Sequence, residues 1–191
     1  MTTLERLRRR LDEHEPRRVP ETVAPRRAAV AAVLGGRGAP ELLLIRRAER
    51  PGDPWSGHMG LPGGRREDGE SDLEAARRET REEVGIELAE SALIGALNEV
   101  QAVGRGRPLG LAIAPFIFHL ETPPALRPDP REVAETLWVP LDWLARPEHL
   151  ETMTWQGPGG TRELPCWTYD GRRIWGLTFL MIRELLQYAE Y

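Results

Sequence analysis

Three carboxylates, Glu79, Glu82 and Glu83, stand close together in the stretch GRREDGESDLEAARRETREEVGI, residues 64–86. Projected as a helix from Leu73, the residues Leu73, Ala76, Thr80 and Val84 form an apolar stripe about 80° wide, and the three glutamates fill an adjoining arc of about 100°. Glu79 and Glu83 are an i,i+4 like-charge pair, which opposes helix formation. At about 6 Å and an effective dielectric constant of about 20, they repel by roughly 3 kcal/mol. Glu74–Arg78 and Arg78–Glu82 share that spacing, yet neither pair neutralises the Glu79–Glu83 couple. A hard divalent cation such as Mg²⁺ would do so directly, because it prefers carboxylate oxygens and keeps several waters. The alternative is a solvated helix face laced with salt bridges.

The elements that must position these carboxylates are legible around them. Ser71 and Glu74 form a capping-box pair that starts the helix, and Gly85 stops it by taking the left-handed conformation. Directly before it, residues 48–64 read AERPGDPWSGHMGLPGG, a Gly/Pro loop of a length that in compact domains goes with function or disorder. Apolar runs at 28–34 and 42–46, separated by GGRGAP, predict a hairpin-like pair of strands. Further strands are expected at 92–100, 109–120 and 134–140, then a short helix at 141–145 and two edge-like strands around 152–155 and 164–168. Leu177, Leu180, Met181, Leu185 and Leu186 give a closing helix at 175–188 its inward face. At the other end, Leu4, Leu7 and Leu11 stripe a helix at 3–15 that Pro16 ends. Gly104, Arg105 and Gly106 read as a hairpin tip. The interleaving of strands and helices predicts an α/β protein, a mixed sheet covered by helices on both faces. Residues 1–26 form an N-terminal helix and connector, and residues 27–191 the main domain.

Composition bounds the rest. The 191 residues, 40% apolar and 29% charged, suit one domain with appended terminal elements. Cys166 is the only cysteine, so an internal disulfide framework is excluded. The longest apolar run, residues 109–120, is too short for a membrane-spanning helix. The first residues carry no secretory pattern, so a reducing cytoplasmic setting is expected. A net charge of -4 disfavours broad nucleic-acid binding, while arginines as the basic residues suit bidentate phosphate contacts. His14, His119 and His149 are scattered without zinc-ligand spacing. An exposed Leu4–Leu11 stripe would offer a homodimer contact.

The order Gly64, Glu70, Arg78, Glu79, Thr80, Glu82, Glu83, Gly85, Ile86 resembles the Nudix box, G-x5-E-x7-R-E-U-x-E-E-x-G-U, of the Nudix hydrolases. Every invariant letter stands at the right spacing, and Thr80 occupies a slot usually held by a larger aliphatic residue. The resemblance implies the Nudix fold, an α/β/α sandwich with a central mixed β-sheet, and hydrolysis of a diphosphate linkage with Mg²⁺ or Mn²⁺. By position, Glu79, Glu82 and Glu83 would hold metal with the Gly63 carbonyl, Arg78 would orient them, and Glu70 would brace the helix. Such ions clamp a diphosphate and lower the pKa of an attacking water, so no covalent nucleophile is required of Cys166. The general base would be a box glutamate or a residue of a later loop, with Glu132 the candidate and Glu135 a weaker one.

The segment LLLIRRAERPGDPWSGHMGLPGG is similar to the motif that precedes the box in coenzyme A diphosphatases, through Leu43, Leu44, Arg47, Ala48, Gly57 and residues 61–64. Ile45 replaces a usual Thr, and Arg50 only loosely matches a second Arg. If coenzyme A or an acyl derivative is cleaved, the products are 3′-phosphoadenosine 5′-phosphate and (acyl-)4′-phosphopantetheine. Arg46, Arg47 and Arg50 are then candidates for the extra 3′-phosphate, and His58 for a phosphate contact or a loop-stabilising hydrogen bond. Two alternatives stand beside this small-molecule reading: a broader nucleoside diphosphate-X or (d)NTP hydrolase, and a non-catalytic nucleotide-sensing module.

Overall fold

The structure is a computed structural model that describes residues 2–53, 55–104, 107–157 and 159–189. The apolar run at 28–34 becomes the middle of β1 (Arg26–Gly35), buried along nearly its whole length. A strand covered on both faces reads as continuously apolar rather than alternating. β2 (Glu41–Arg47) pairs antiparallel with β1, with Leu34 opposite Leu42 as the hairpin-like spacing predicts. The short strands β3 (Met59–Gly60) and β4 (Gly63–Arg65) pair with β2 and β1. β5 (Leu93–Ala96) and β6 (Val100–Gly104) pair with β7 (Arg107–Leu120), which runs parallel to β1, and β8 (Val133–Pro140) pairs with β2. The result is a mixed eight-stranded sheet.

Alternation along the strands feeds two cores. Val30, Ala32, Leu34, Leu42 and Leu44 join one apolar cluster, whereas Ala31, Val33, Leu43 and Ile45 join another. Helix α2 (Asp72–Val84) covers the second face, and α1 (Thr3–Asp12) and α4 (Gly176–Ala189) share the first. This is the expected α/β/α sandwich. The short α3 (Leu141–Ala145) follows β8. β9 (Leu150–Gly157), β10 (Gly160–Tyr169) and β11 (Arg172–Trp175) form a separate antiparallel sheet that contacts α4 and β3. No helix among the described residues is long and apolar enough to cross a membrane.

Several sequence expectations are corrected. α1 ends at Asp12, short of Pro16, because no apolar residue after Leu11 gives a further turn something to pack. Its stripe is not an exposed dimer surface: Leu4, Leu7 and Leu11 are buried in this chain's own core beside α4. The strand expected at 92–100 splits in two, and between the halves Asn98 turns to accept from the Arg17 N–H and donate to Glu184. β11 was not anticipated. It follows a tight turn in which Asp170 and Gly171 both take positive φ, 47° and 77°. That is the hairpin geometry Asp-Gly favours. Arg105 and Gly106 of the expected hairpin tip lie outside the described residues.

Candidate active site

Helix α2 begins as its sequence predicts. The Ser71 side chain accepts from the Glu74 N–H at 3.2 Å, the Glu74 carboxylate accepts from the Ser71 N–H at 2.8 Å, and Gly85 ends the helix at φ 74°. The helix lies close to the sheet because its contact with β1 and β7 is built of Ala75, Ala76, Ala29 and Ala114. Two glycines complete that approach. A Cβ on Gly63 would stand 2.3 Å from the Ala29 carbonyl oxygen, and one on Gly64 would stand 2.5 Å from the Glu79 carboxyl carbon.

The carboxylates on this helix do not share one environment. Glu83 is 2% exposed and accepts a 2.8 Å hydrogen bond from the Gly63 N–H. Burial pushes its carboxyl up to about 8, and the neighbouring charges of Glu79 and Glu132 add to that against the Gly63 hydrogen bond and the Arg47 charge. Glu79 is also raised, chiefly by burial, with Arg78 opposing. Glu82 is about half exposed and paired with Arg78 at 3.1 Å.

Glu132 arrives from the segment before β8. That segment is docked on the C-terminal end of α2, where the Arg127 and Asp129 N–H groups donate to the Val84 and Glu83 carbonyls at 2.8 and 2.9 Å. These bonds satisfy helix-end carbonyls and at the same time aim the chain. Carboxylate oxygens of Glu79, Glu83 and Glu132 thereby come within 4.8 Å of one another. Of the expected trio, Glu79 and Glu83 thus stand together with Glu132, while Glu82 lies beside them on Arg78 at the more exposed rim. Glu83 faces inward because the close helix–sheet contact draws that flank of the arc beneath β4. Gly63 meets the site through its N–H.

Arg78 ties the acidic side chains together. It donates to Glu70 through Nε at 2.8 Å and Nη2 at 3.1 Å, to Glu79 at 2.9 Å, to Glu82 at 3.1 Å, and to the Arg65 carbonyl at 2.9 Å. The Arg78 hydrogen bonds hold the Glu70 carboxyl below its ordinary value. Glu79, left unneutralised by i,i+4 arithmetic, is met by its immediate neighbour.

The four candidates for substrate contact separate. Arg47 pairs with Asp53 at 2.9 Å, and Arg50 pairs with Glu132 at 3.1 Å and donates to the Arg131 carbonyl at 2.8 Å. Arg46 bonds Glu135 instead. Glu135, the weaker base candidate, is absent from the carboxylate cluster and is held below its ordinary value by Arg172, with Arg46 assisting. The His58 ring packs against Trp175 with centroids 4.9 Å apart, and burial lowers its pKa. Arg172, which sequence reasoning passed over, joins Arg46 on Glu135. The Asp-Gly dipeptide between two apolar-rich runs was the signal that could have placed it. Cys166 is buried and its thiol is pushed up by burial, which suits packing rather than nucleophilic attack.

The cluster is chemically fit for a hard dication. Its donors are all carboxylate oxygens. One of those carboxylates is enclosed and raised far above its ordinary value, so a cation would relieve both desolvation and mutual repulsion.

The chain is similar to known proteins of one family. The family described as NUDIX domain matches residues 24–161. The human mitochondrial coenzyme A diphosphatase NUDT8 is 31% identical over 169 residues, covering 84% of this chain and 70% of that protein. The Nudix hydrolase NudL of Citrobacter koseri is 30% identical, covering 86% of this chain and 83% of that one. An uncharacterised Schizosaccharomyces pombe protein is 38% identical over 159 residues, and the chain spans about half its length, 48%. Among solved structures, a MutT/nudix family protein from Enterococcus faecalis superposes with a TM-score of 0.58 at 20% identity, covering 93% of this chain and 64% of that one. With the family match and these relatives in agreement, the chain belongs to the Nudix hydrolase family and is a diphosphate-cleaving enzyme by class.

Proposed function

We propose that this enzyme cleaves the diphosphate of coenzyme A or an acyl-coenzyme A, giving 3′-phosphoadenosine 5′-phosphate and (acyl-)4′-phosphopantetheine. The observation that carries the catalytic part is the convergence of Glu79, Glu83 and Glu132 within 4.8 Å at the helix–loop junction. The substrate assignment is supported by the 31% identity to a protein named for coenzyme A diphosphatase activity and by the motif at residues 43–64.

Glu79, Glu83 and Glu132 would hold Mg²⁺ or Mn²⁺, with Glu82 at the rim and Gly63 orienting Glu83 through its N–H. Bound there, the ion supplies charge neutralisation for the diphosphate and a lowered pKa for the attacking water. Arg78 orients Glu79 and Glu82 while anchored on Glu70. Glu132 is the most open of the three clustered carboxylates, its side chain 41% exposed. It is therefore assigned to accept the proton of the attacking water. Arg50, already on Glu132, supplies positive charge from the loop after β2, and Arg47 supplies it from the end of β2. Hydrolysis at phosphorus is mainly positioning and electrostatics, which suits a site whose groups are set by helix capping and backbone bonds. Residues 27–191 constitute the catalytic domain, with α1 packed onto it, and the single buried thiol suits a reducing compartment such as the cytoplasm.

The test is mass-spectrometric product identification with Mg²⁺ or Mn²⁺ and a panel of coenzyme A, acetyl-coenzyme A, ADP-ribose and dNTPs. Preferential release of 3′-phosphoadenosine 5′-phosphate from coenzyme A is expected. Equal or faster cleavage of ADP-ribose or dNTPs would replace this reading with a broader nucleotide hydrolase.

A further inference from the structure

Arg46 and Arg47 are consecutive in β2, yet their side chains go to different partners. Arg47 meets Asp53 and contributes its charge at Glu83, whereas Arg46 meets Glu135. Alternation explains this: Leu42 and Leu44 share the Arg46 parity and face the α1/α4 core, and Leu43 and Ile45 share the Arg47 parity and face the α2 side. Arg46 therefore opens into a separate cleft of about 610 Å³, walled by β3 on one side and by the β10–β11 turn on the other. That volume is ample for a nucleoside with its phosphates.

The cleft has two kinds of lining. His58 and Trp175 give it a pair of packed rings, and Met59 and Met153 add polarizable apolar surface. Its charged groups are Arg46, Arg172 and Arg173 against Glu135 and Asp170, an excess of one cation. The carboxylates are not free to repel an anion equally. Arg172 spans both of them, with hydrogen bonds to Glu135 and Asp170. Arg46 commits only Nε to Glu135, so its two Nη groups carry no protein hydrogen bond among the described residues. Arg173, paired through its backbone with Thr168, is exposed, and its side chain has no hydrogen bond or ion pair among the described residues. The Nη groups of Arg46 and the exposed Arg173 are thus available to a ligand, next to an aromatic wall.

We propose that this cleft is the specificity subsite for the nucleoside 3′-phosphate end of the substrate, with the base against Trp175 and the phosphomonoester on Arg46 and Arg173. The proposal rests on the coenzyme A reading above and deepens it. Of the three arginines weighed from sequence for the 3′-phosphate, it selects Arg46, adds Arg173, and leaves Arg47 and Arg50 to the diphosphate side. His58 and the loop after β2 form the shared wall, since His58 feels the charges of Arg47 and Asp53 while its ring touches Trp175.

Isothermal titration calorimetry in EDTA tests the subsite without catalysis. Adenosine 3′,5′-bisphosphate should bind the wild-type protein at least about 10-fold more tightly than AMP. Arg46→Gln and Arg173→Gln should each remove most of that preference while leaving AMP binding nearly unchanged. Trp175→Ala should weaken both ligands together. Arg173 is a surface residue, so its variant keeps the test independent of folding. Equal wild-type affinities for the two nucleotides, or a preference that survives both arginine substitutions, would overturn the subsite. A kinetic arm compares kcat/KM for coenzyme A and dephospho-coenzyme A, whose ratio should fall toward 1 in both variants. A wild-type enzyme that cleaves neither compound would defeat the substrate reading alone, because the calorimetric preference reports the cleft by itself.

Discussion

Glu83 should be a site where stability and function oppose each other, and replacing it with Gln makes the conflict measurable. Its carboxyl titrates at about 8 in the folded chain against an ordinary 4.5. A carboxyl raised by folding leaves the folded state holding a proton that the unfolded state has released. The metal-free protein therefore loses stability as pH rises from about 4.5 to about 8, and the loss is complete above that window. At about 1.4 kcal/mol per pH unit, the ceiling on this penalty is about 5 kcal/mol, and water entry or local relaxation reduces it. Glu83→Gln keeps an oxygen for the Gly63 N–H but carries no charge. In EDTA at pH 8.5 the variant should be more stable than wild type by about 2–4 kcal/mol, or about 5–15 °C in Tm for a chain of this size. At pH 5 the two should nearly coincide. Millimolar Mg²⁺ or Mn²⁺ should raise the wild-type Tm at pH 8.5 and hardly move the variant, because only the native carboxylate set binds the ion. Turnover should drop by orders of magnitude. Differential scanning calorimetry at both pH values decides the matter. A variant less stable than wild type at pH 8.5, or offset by the same amount at pH 5, would refute burial as the source of the raised pKa.

Three further outcomes follow from the packing. Gly64→Ala would set a Cβ 2.5 Å from the Glu79 carboxyl carbon, so the carboxylate must move; kcat should fall at least about 10-fold with a smaller loss of Tm, read by parallel kinetics and thermal melts. Leu7→Ala, at a fully buried position, should cost about 2–5 kcal/mol by urea denaturation, whereas an appended helix would lose almost nothing. Glu132→Gln should weaken Mn²⁺ binding measured by calorimetry and cut kcat, while Glu82→Gln should affect Mn²⁺ affinity less because Glu82 stands at the rim of the cluster.

The sequence by itself determined what depends on neighbours along the chain. Ser71, Glu74 and Gly85 specify where α2 starts and stops, because caps are satisfied within a turn of helix. The run at 28–34 announced a strand paired hairpin-like with 42–46, and the spacing of Gly64, Arg78, Glu79, Glu82 and Glu83 announced an acidic, cation-seeking helix face. Tertiary structure decided which carboxylates meet. Glu82 and Glu83 are adjacent and share one arc of the helix, but only Glu83 is drawn under β4, where Gly63 donates to it. Glu132 joins them from about fifty residues away because the Arg127 and Asp129 amides need the carbonyls at the end of α2. The same holds for the parting of Arg46 from Arg47, which β2 alternation sets only once each face of the sheet has its cover. It holds also for Leu4, Leu7 and Leu11, whose stripe marks a helix without naming α4 as its partner. Caps and periodicity are local and readable, whereas burial and charge convergence arise from contacts between segments distant in sequence, and these set the chemistry of the site.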